Sequence, residues 1–359
     1  MPGKTLYCLG EAWLELNSTA PLASAETFSP RMGGSAASLA LAYAAQGGRA
    51  SLLTQLGEDA FGHRIADALS TAGVDISRVC FTSRAPTPLL FDGGMGTYYK
   101  AKPGQECEQA NLLDPEGVLA VHGAYLEAGA DAIKTNTFGL PRMAAAGNPL
   151  WEALTDEGWR LAAQAAAKTG AAVFADLGPA PDTEALPAAQ IYTALAERFA
   201  ALGAKNFLFE TLSSDAGVAE AAKQIKEAVP DAFVLVSFAV LPDGYTREGR
   251  HCTRLVRSMT ACGAVDAVGL NCVSAPGAMR ALVQQLGETE LPLAVMPNAG
   301  YPVVTRTRVQ YQGRPEYFAR ELVGLAAEGV RILGGCCGTT PAHIAALRAA
   351  LDALPETLP

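Results

Sequence analysis

No apolar stretch in this sequence reaches the length of a membrane span, and the opening Met1-Pro2-Gly3-Lys4 lacks a secretion signal's apolar core. These absences predict a cytoplasmic protein that does not enter a membrane. Charge is scarce too. Only 18% of residues are charged, the net charge is −9, and no dense Lys/Arg cluster offsets it, which argues against a nucleic-acid surface. Without a secretion signal, the eight cysteines read as reduced thiols or metal ligands rather than a disulfide framework. What remains is a chain of 359 residues, half of them hydrophobic and 36 of them glycine. That is the composition of a compact enzyme, with length for two domains or one large α/β barrel.

Three of the cysteines stand out. Cys336 and Cys337 lie between glycines in Gly334-Gly335-Cys336-Cys337-Gly338-Thr339-Thr340-Pro341, directly after the apolar run Val330-Arg331-Ile332-Leu333. Cys272 follows a second apolar run, in Gly269-Leu270-Asn271-Cys272. All three therefore fall where a strand ends and a loop begins, and glycine lets the backbone turn sharply there. Three thiolates with no evident fourth protein ligand describe an open zinc site, which leaves one position for substrate. Were the substrate itself a thiol, zinc would lower its pKa and hold it as a nucleophile. Cys8, Cys80 and Cys262 read instead as small core residues, since free cysteine is commonly buried.

From Pro88 onward, short apolar runs alternate eight times with helical patterns. The strands are expected at Leu89–Asp92, Ala132–Thr135, Ala172–Asp176, Asn206–Glu210, Phe233–Phe238, Ala267–Asn271, Leu293–Met296 and Arg331–Leu333. They lack strict alternation, as parallel strands covered on both faces do. Helices are expected at Trp151–Lys168, Ala188–Leu202, Asp215–Val229 and Pro315–Glu328. Eight such units predict a (β/α)8 TIM barrel over residues 88–359, whose active site lies at the C-terminal ends of the strands. Asp92, Asn136, Glu210, Cys272, Asn298 and Cys336 would then share one face.

Residues 1–87 differ. Leu6–Leu16 is strand-like, a helix is expected from Ala36 to Gln46, a strand around Ser51–Leu56, and a helix from Ala60 to Ala72. After Val74–Val79 the chain is expected to enter a loop, and Arg84-Ala85-Pro86-Thr87-Pro88 marks a boundary. So few strands leave open sheet edges, which must pair with something.

The stretch from Asp92 to Leu351 resembles the homocysteine S-methyltransferase family. The likeness rests on Asp92-Gly93-Gly94-Met95-Gly96-Thr97, on His122, Tyr125 and Ala128-Gly129-Ala130-Asp131, on Thr135-Asn136-Thr137-Phe138-Gly139, and on Leu177-Gly178-Pro179. It continues through Phe209-Glu210-Thr211-Leu212, Gly269–Cys272, Met296-Pro297-Asn298-Ala299-Gly300 and Gly334–Pro341. The resemblance implies that Cys272, Cys336 and Cys337 ligate zinc and carry the catalysis through it, with the homocysteine sulfur completing the tetrahedron. It also implies that Glu210, with the Asp92-Gly93-Gly94 loop, holds the substrate ammonium. A buried acid paired with a barrel cation is the other reading of Glu210. Asn136 either contacts substrate or caps its strand, and Asn271 and Asn298 complete the expected substrate set. The lettering at Val236-Ser237-Phe238 and Asp243-Gly244-Tyr245-Thr246 is closer to the methionine-synthase-like branch than to the betaine branch.

Residues 5–87 resemble the start of ribokinase-like sugar kinases, through Gly33-Gly34-Ser35-Ala36-Ala37-Ser38, Leu56-Gly57-Glu58-Asp59-Ala60-Phe61-Gly62 and Ala72-Gly73-Val74-Asp75. Ser38 stands where that family carries asparagine, Glu15 stands at its sugar-contact position, and its Gly-Ala-Gly-Asp base motif is absent from the sequence. Phosphoryl transfer then has no machinery, so this segment is expected to dock, regulate or form a homo-oligomer.

The expected reaction is methyl transfer to the homocysteine thiol, giving methionine. The donor is expected to be a methylated corrinoid such as methylcobalamin, supplied in trans on a corrinoid protein, or a small donor such as S-methylmethionine, S-adenosylmethionine or betaine. In that branch a methylenetetrahydrofolate reductase is a further expected partner. The rival reading is a non-catalytic protein that binds zinc or a thiol amino acid and signals through residues 1–87; a sugar kinase is a third.

Overall fold

The computed structural model describes residues 5–10, 12–17, 29–57, 60–82, 88–102, 104–304 and 309–354. The chain divides into two compact units, one ending at Thr87 and one from Pro88 to Ala353. The boundary residues Arg84–Thr87, together with Glu58 and Asp59 and the side chain of Glu15, lie outside what is described.

In the larger unit eight strands form one parallel sheet: β1 (Leu89–Leu90), β2 (Ala132–Lys134), β3 (Ala172–Leu177), β4 (Asn206–Leu212), β5 (Phe233–Phe238), β6 (Ala267–Asn271), β7 (Leu293–Met296) and β8 (Ile332–Leu333). Each pairs with its neighbour in sequence, and β8 returns to β1. The ring closes between β1 and β2 through a bridge from Phe91 to Ala132. Asp131 N donates to Leu90 O (2.7 Å) and Asp92 N to Ala132 O (3.0 Å) across that seam. This is the expected (β/α)8 barrel, with helices such as Trp151–Ala166, Ala188–Ala201, Val218–Ala228 and Pro315–Ala327 between the strands.

The barrel is filled, not hollow. Phe91, Ala132, Phe174, Leu208, Leu235, Ala267, Ala294 and Ile332, one from each strand or its end, meet in a single buried cluster. Large and small residues mix within it, so Phe91 and Phe174 approach to 4.6 Å between ring centroids over alanines. Each fully buried Phe or Leu contributes about 1.5–3 kcal/mol of transfer free energy. Because strand side chains alternate with period two, the inward position after this apolar layer lies nearer the mouth. Two residues on stand Lys134, Asp176, Glu210 and Ser237; four residues on stand Asn271, Asn298 and Cys336. The apolar layer thus forms the floor of a polar chamber.

In the smaller unit, Arg49–Gly57 is the central strand. It runs parallel to Thr5–Leu9 and, on its other side, to Val74–Asp75 and Val79–Thr82. Leu52, Leu69, Ala37 and Ala40 are fully buried in its own core. Two expectations are corrected here. The run Leu6–Leu16 is two strands, since the chain bends at Gly10 and Trp13–Asn17 pairs antiparallel with Ser29–Gly33. The residues after Val79 form a strand on the central one instead of a loop. Among the described residues, no helix is long and apolar enough to cross a membrane.

Candidate active site

The loop after β8 is held by side chains on three sides. Thr339 Oγ1 donates to Cys336 O (2.6 Å) and accepts from Gly94 N (3.0 Å). Tyr125 OH donates to Thr339 O (2.9 Å), and Gly338 N donates to Thr97 Oγ1 (2.9 Å). The helix Pro341–Asp352 that follows starts on a Thr340–His343 capping box, which fixes the far end of the loop. Gly94 has no room for a side chain, because a Cβ there would sit 2.6 Å from Cys336 O. Gly338 adopts φ 78°, a left-handed turn that follows the cysteine pair.

Cys272 reaches the same place differently. Asn271 is the last residue of β6 and fully buried; the backbone then turns left-handed at Cys272 (φ 55°) and Val273 (φ 48°). A β-branched residue in that region is uncommon and strained, at a cost on the order of 1–3 kcal/mol. The turn brings the Cys272 thiol beside those of Cys336 and Cys337. All three Sγ atoms lie within 4.8 Å of one another, and Cys272 and Cys337 are 3.9 Å apart.

That spacing fits a tetrahedral zinc ion, for which three sulfurs at about 2.3 Å from the metal stand roughly 3.8 Å apart. Contacts with Cys272 and Cys336 pull the Cys337 thiol below the ordinary thiol range, while contacts with Cys272 and Cys337 hold Cys336 well above it. Thiolates are the ligands zinc takes in tetrahedral sites. Zinc therefore suits this donor set.

The cluster opens on a cavity of about 470 Å³. Its lining includes Gly93, Gly94, Asn136, Glu210 and the three cysteines, but not Asp92, Asn271 or Asn298, and it adds Lys134, Asp176 and Cys107. Lys134 changes the reading of the acids. Its Nζ lies 3.5 Å from Asp92 Oδ1 and 3.7 Å from Glu210 Oε2, and donates to Gly335 O at 3.2 Å. Asp92 is 1% exposed, sits behind the cavity lining, and its Oδ2 also accepts Lys134 N at 3.0 Å. Glu210 is therefore both a cavity-lining acid and the partner of a barrel cation.

Two buried acids, Asp92 and Glu210, pair with this ammonium, and Asp176 stands near enough to feel its charge. Burial works against the Lys134 charge, but Glu210 and Asp92 outweigh it and keep its pKa above the usual lysine range. Each acid receives too little compensation: burial pushes Asp92 up to about 6, raises Glu210, and raises Asp176 well above the carboxylate range, Glu210 adding to the last.

The amides serve as braces. Asn271 Nδ2 donates to Glu210 Oε2 (3.2 Å) and Thr211 Oγ1 (2.9 Å), while its Oδ1 accepts Thr211 N (2.9 Å). Asn271 thus orients Glu210. Asn136 Nδ2 donates to Cys107 O and Asn111 Oδ1, both at 2.9 Å, which ties the segment 107–111 to the end of β2. Asn298 is buried beyond the cavity lining, and its Oδ1 has no hydrogen-bond partner among the described residues. Of the cysteines read as core, Cys8 is buried, Cys262 is half-buried and Cys80 is exposed.

The closed (β/α)8 barrel brings three thiols and buried acids together at the C-terminal ends of its strands, where barrel enzymes carry their active sites. Residues 89–351 match the homocysteine S-methyltransferase family, and the chain belongs to that family. It is 31% identical over 292 residues to the methionine synthase of Mycobacterium tuberculosis, covering 73% of this chain and 24% of that one. The chain thus spans about a quarter of the length of that relative. It is also 34% identical over 149 residues to the homocysteine S-methyltransferase of Escherichia coli, covering 41% of this chain and 48% of that one. Among solved structures, the metallated form of the Escherichia coli homocysteine methyltransferase MmuM superposes with a TM-score of 0.60 at 27% identity, covering 73% of this chain and 96% of that one. Residues 4–91 match the pfkB family of carbohydrate kinases.

Lys134, Asp176 and Cys107 were not anticipated from the sequence. The signal for Lys134 and Asp176 was present: each stands two residues after an inward apolar residue, on the same strand face as Glu210.

Proposed function

We propose that this chain methylates the thiol of homocysteine and releases methionine, with zinc held by Cys272, Cys336 and Cys337. The observation that carries the reading is the convergence of three thiols within 4.8 Å on a cavity also lined by buried acids. Bound there, zinc would lower the pKa of the substrate thiol and keep its sulfur nucleophilic near neutral pH. The residues of the chain do the rest. The two turns at Cys272 and Gly338 set the three sulfurs before substrate arrives, so little ordering is left to binding. Glu210, at the end of β4, offers the cavity a carboxylate acceptor for an α-ammonium group. Asn271 and Lys134 fix the Glu210 carboxylate, and the apolar barrel floor closes the chamber to water from below.

In the transfer, a sulfur–carbon bond forms as the donor–carbon bond breaks, and the thiol proton leaves to solvent. The donor is a methylated corrinoid presented in trans, or a small methyl compound that enters the cavity. The 31% identity to a methionine synthase favours the first, with a corrinoid protein or a methylenetetrahydrofolate reductase as partner. Residues 1–87 act as a non-catalytic module, since no Gly-Ala-Gly-Asp motif is present anywhere in the sequence.

The test is metal retention and turnover in Cys272→Ala, Cys336→Ala and Cys337→Ala. Each substitution should abolish both zinc retention, measured by mass spectrometry of the metal, and methionine formation. A zinc-free variant that still turns over ends this reading.

A further inference from the structure

The chain that follows β7 wraps the cysteine pair like an arm. Cys336 N donates to Pro297 O (2.9 Å), and Ala299 N donates to Cys337 O (2.9 Å), so the arm grips the backbone of both cysteines. It then runs out through Pro302–Val304 and back through Val309–Tyr311, paired antiparallel with Pro302 opposite Tyr311. The return is pinned as well: Gly313 N donates to Ala299 O (2.8 Å), and Gly313 O accepts from His343 Nε2 (3.0 Å). This path lays the half-buried Tyr311 against Gly338. A side chain at Gly338 would collide with Tyr311 Cβ and Cγ, so the glycine that turns the chain after the cysteines also makes room for the tyrosine. The Tyr311 hydroxyl is in hydrogen-bond contact with Cys337, and Cys272 and Cys336 are near enough to act on it. A phenol keeps its proton near neutral pH and a thiolate can only accept, so the hydroxyl is the donor. Tyr311 does not line the cavity, so it touches the sulfur ligand and not the substrate.

We infer that Tyr311 is a positioning residue of the metal centre, its hydroxyl donating to the Cys337 sulfur and holding that thiolate in place as a zinc ligand. The inference rests on the three-cysteine zinc reading and adds an outer partner to it. Outer partners orient metal ligands, and their removal costs about tenfold to a hundredfold in metal affinity. Here ligand and partner are set by one segment, because the arm that carries Tyr311 also grips the backbone of Cys336 and Cys337.

The experiment compares full-length wild type with Tyr311→Phe, which keeps the ring on Gly338 and removes only the hydroxyl. Zinc affinity is read by competition with a chromophoric chelator. The sulfur-to-metal charge-transfer band is read separately, after loading with cobalt(II) in place of zinc. Tyr311→Phe should bind zinc about tenfold to a hundredfold more weakly. Its cobalt band should move to longer wavelength, since a sulfur relieved of its donor gives up charge more readily. Equal zinc affinity in the two proteins overturns the inference. So does a weaker affinity with an unmoved cobalt band, which marks a role in packing alone. Wild type that holds neither zinc nor cobalt overturns the zinc reading itself, and this inference with it.

Discussion

Replacing Lys134 by methionine removes the buried ammonium that pairs with both Asp92 and Glu210. The side chain is 6% exposed, and its partners Asp92 and Glu210 are 2% and 7% exposed, so solvent does little to compensate for its loss. Breaking a buried pair by deleting one partner costs about 3–5 kcal/mol, because the remaining charge is left unmatched. At roughly 2–4 °C per kcal/mol for a unit of this size, the barrel melting transition should fall by about 6–20 °C. The penalty depends on pH. With Lys134 in place burial already pushes Asp92 up to about 6, and without it the acids titrate higher still. A carboxyl whose folded pKa exceeds its unfolded value is destabilising above the folded pKa, and that cost disappears as the pH falls. Lys134→Met should therefore lose most stability near pH 8 and much less near pH 5. Scanning calorimetry at both values measures it, taking the barrel transition by itself, since a chain of two units need not melt as one. Adding Glu210→Gln to the variant should restore part of the loss near pH 8. A shift under about 2 °C near pH 8, or equal shifts at the two values, would refute the picture of a charge-starved chamber.

Gly94→Ala should lower the stability of the barrel by about 1–3 kcal/mol and weaken zinc retention, since its Cβ meets the Cys336 carbonyl; urea titration and metal analysis report the two effects. Cys107→Ser should hold zinc as wild type does, because Cys107 lines the cavity without joining the thiol cluster. His122 is fully buried, neither ring nitrogen has a hydrogen-bond partner among the described residues, and burial pulls it down to about 4. Its folded pKa lies below the unfolded value, so the unfolded chain takes the proton first. Stability should fall as the pH drops from about 6.5 towards 4, by up to about 3 kcal/mol, and His122→Leu should flatten that slope in urea titrations. If residues 1–87 mediate self-association, a chain starting at Pro88 should be smaller by light scattering; an unchanged oligomer removes that role.

The barrel was legible because a parallel strand covered on both faces must be apolar along its length, and all eight runs stand at their expected places. Their ends were less so. Leu89–Asp92 shortens to Leu89–Leu90, since Phe91 makes only an isolated bridge and Asp92 turns to the chamber. The thiols were legible because two adjacent cysteines among glycines after a strand have few other uses. Lys134 was not, because its partners Asp92 and Glu210 lie 42 and 76 residues away and meet it only once the sheet has closed. Asp176 was passed over for the same reason: as the end of an apolar run it reads as a strand terminus, and only the inward period through Phe174 marks it as a chamber residue. In the smaller unit the Trp13–Asn17 hairpin was missed because its partner strand, Ser29–Gly33, carries Ser, Pro, Arg and Gly in place of an apolar run.

The central claim is that this thiol cluster activates homocysteine for methylation. The most direct measurement incubates the zinc-loaded protein with homocysteine and a panel of methyl donors, methylcobalamin included, and quantifies methionine by mass spectrometry. The account predicts methionine from at least one donor, and none after Cys336→Ala. Equal methionine from wild type and Cys336→Ala, or none from any donor while zinc and homocysteine are both bound, would contradict it.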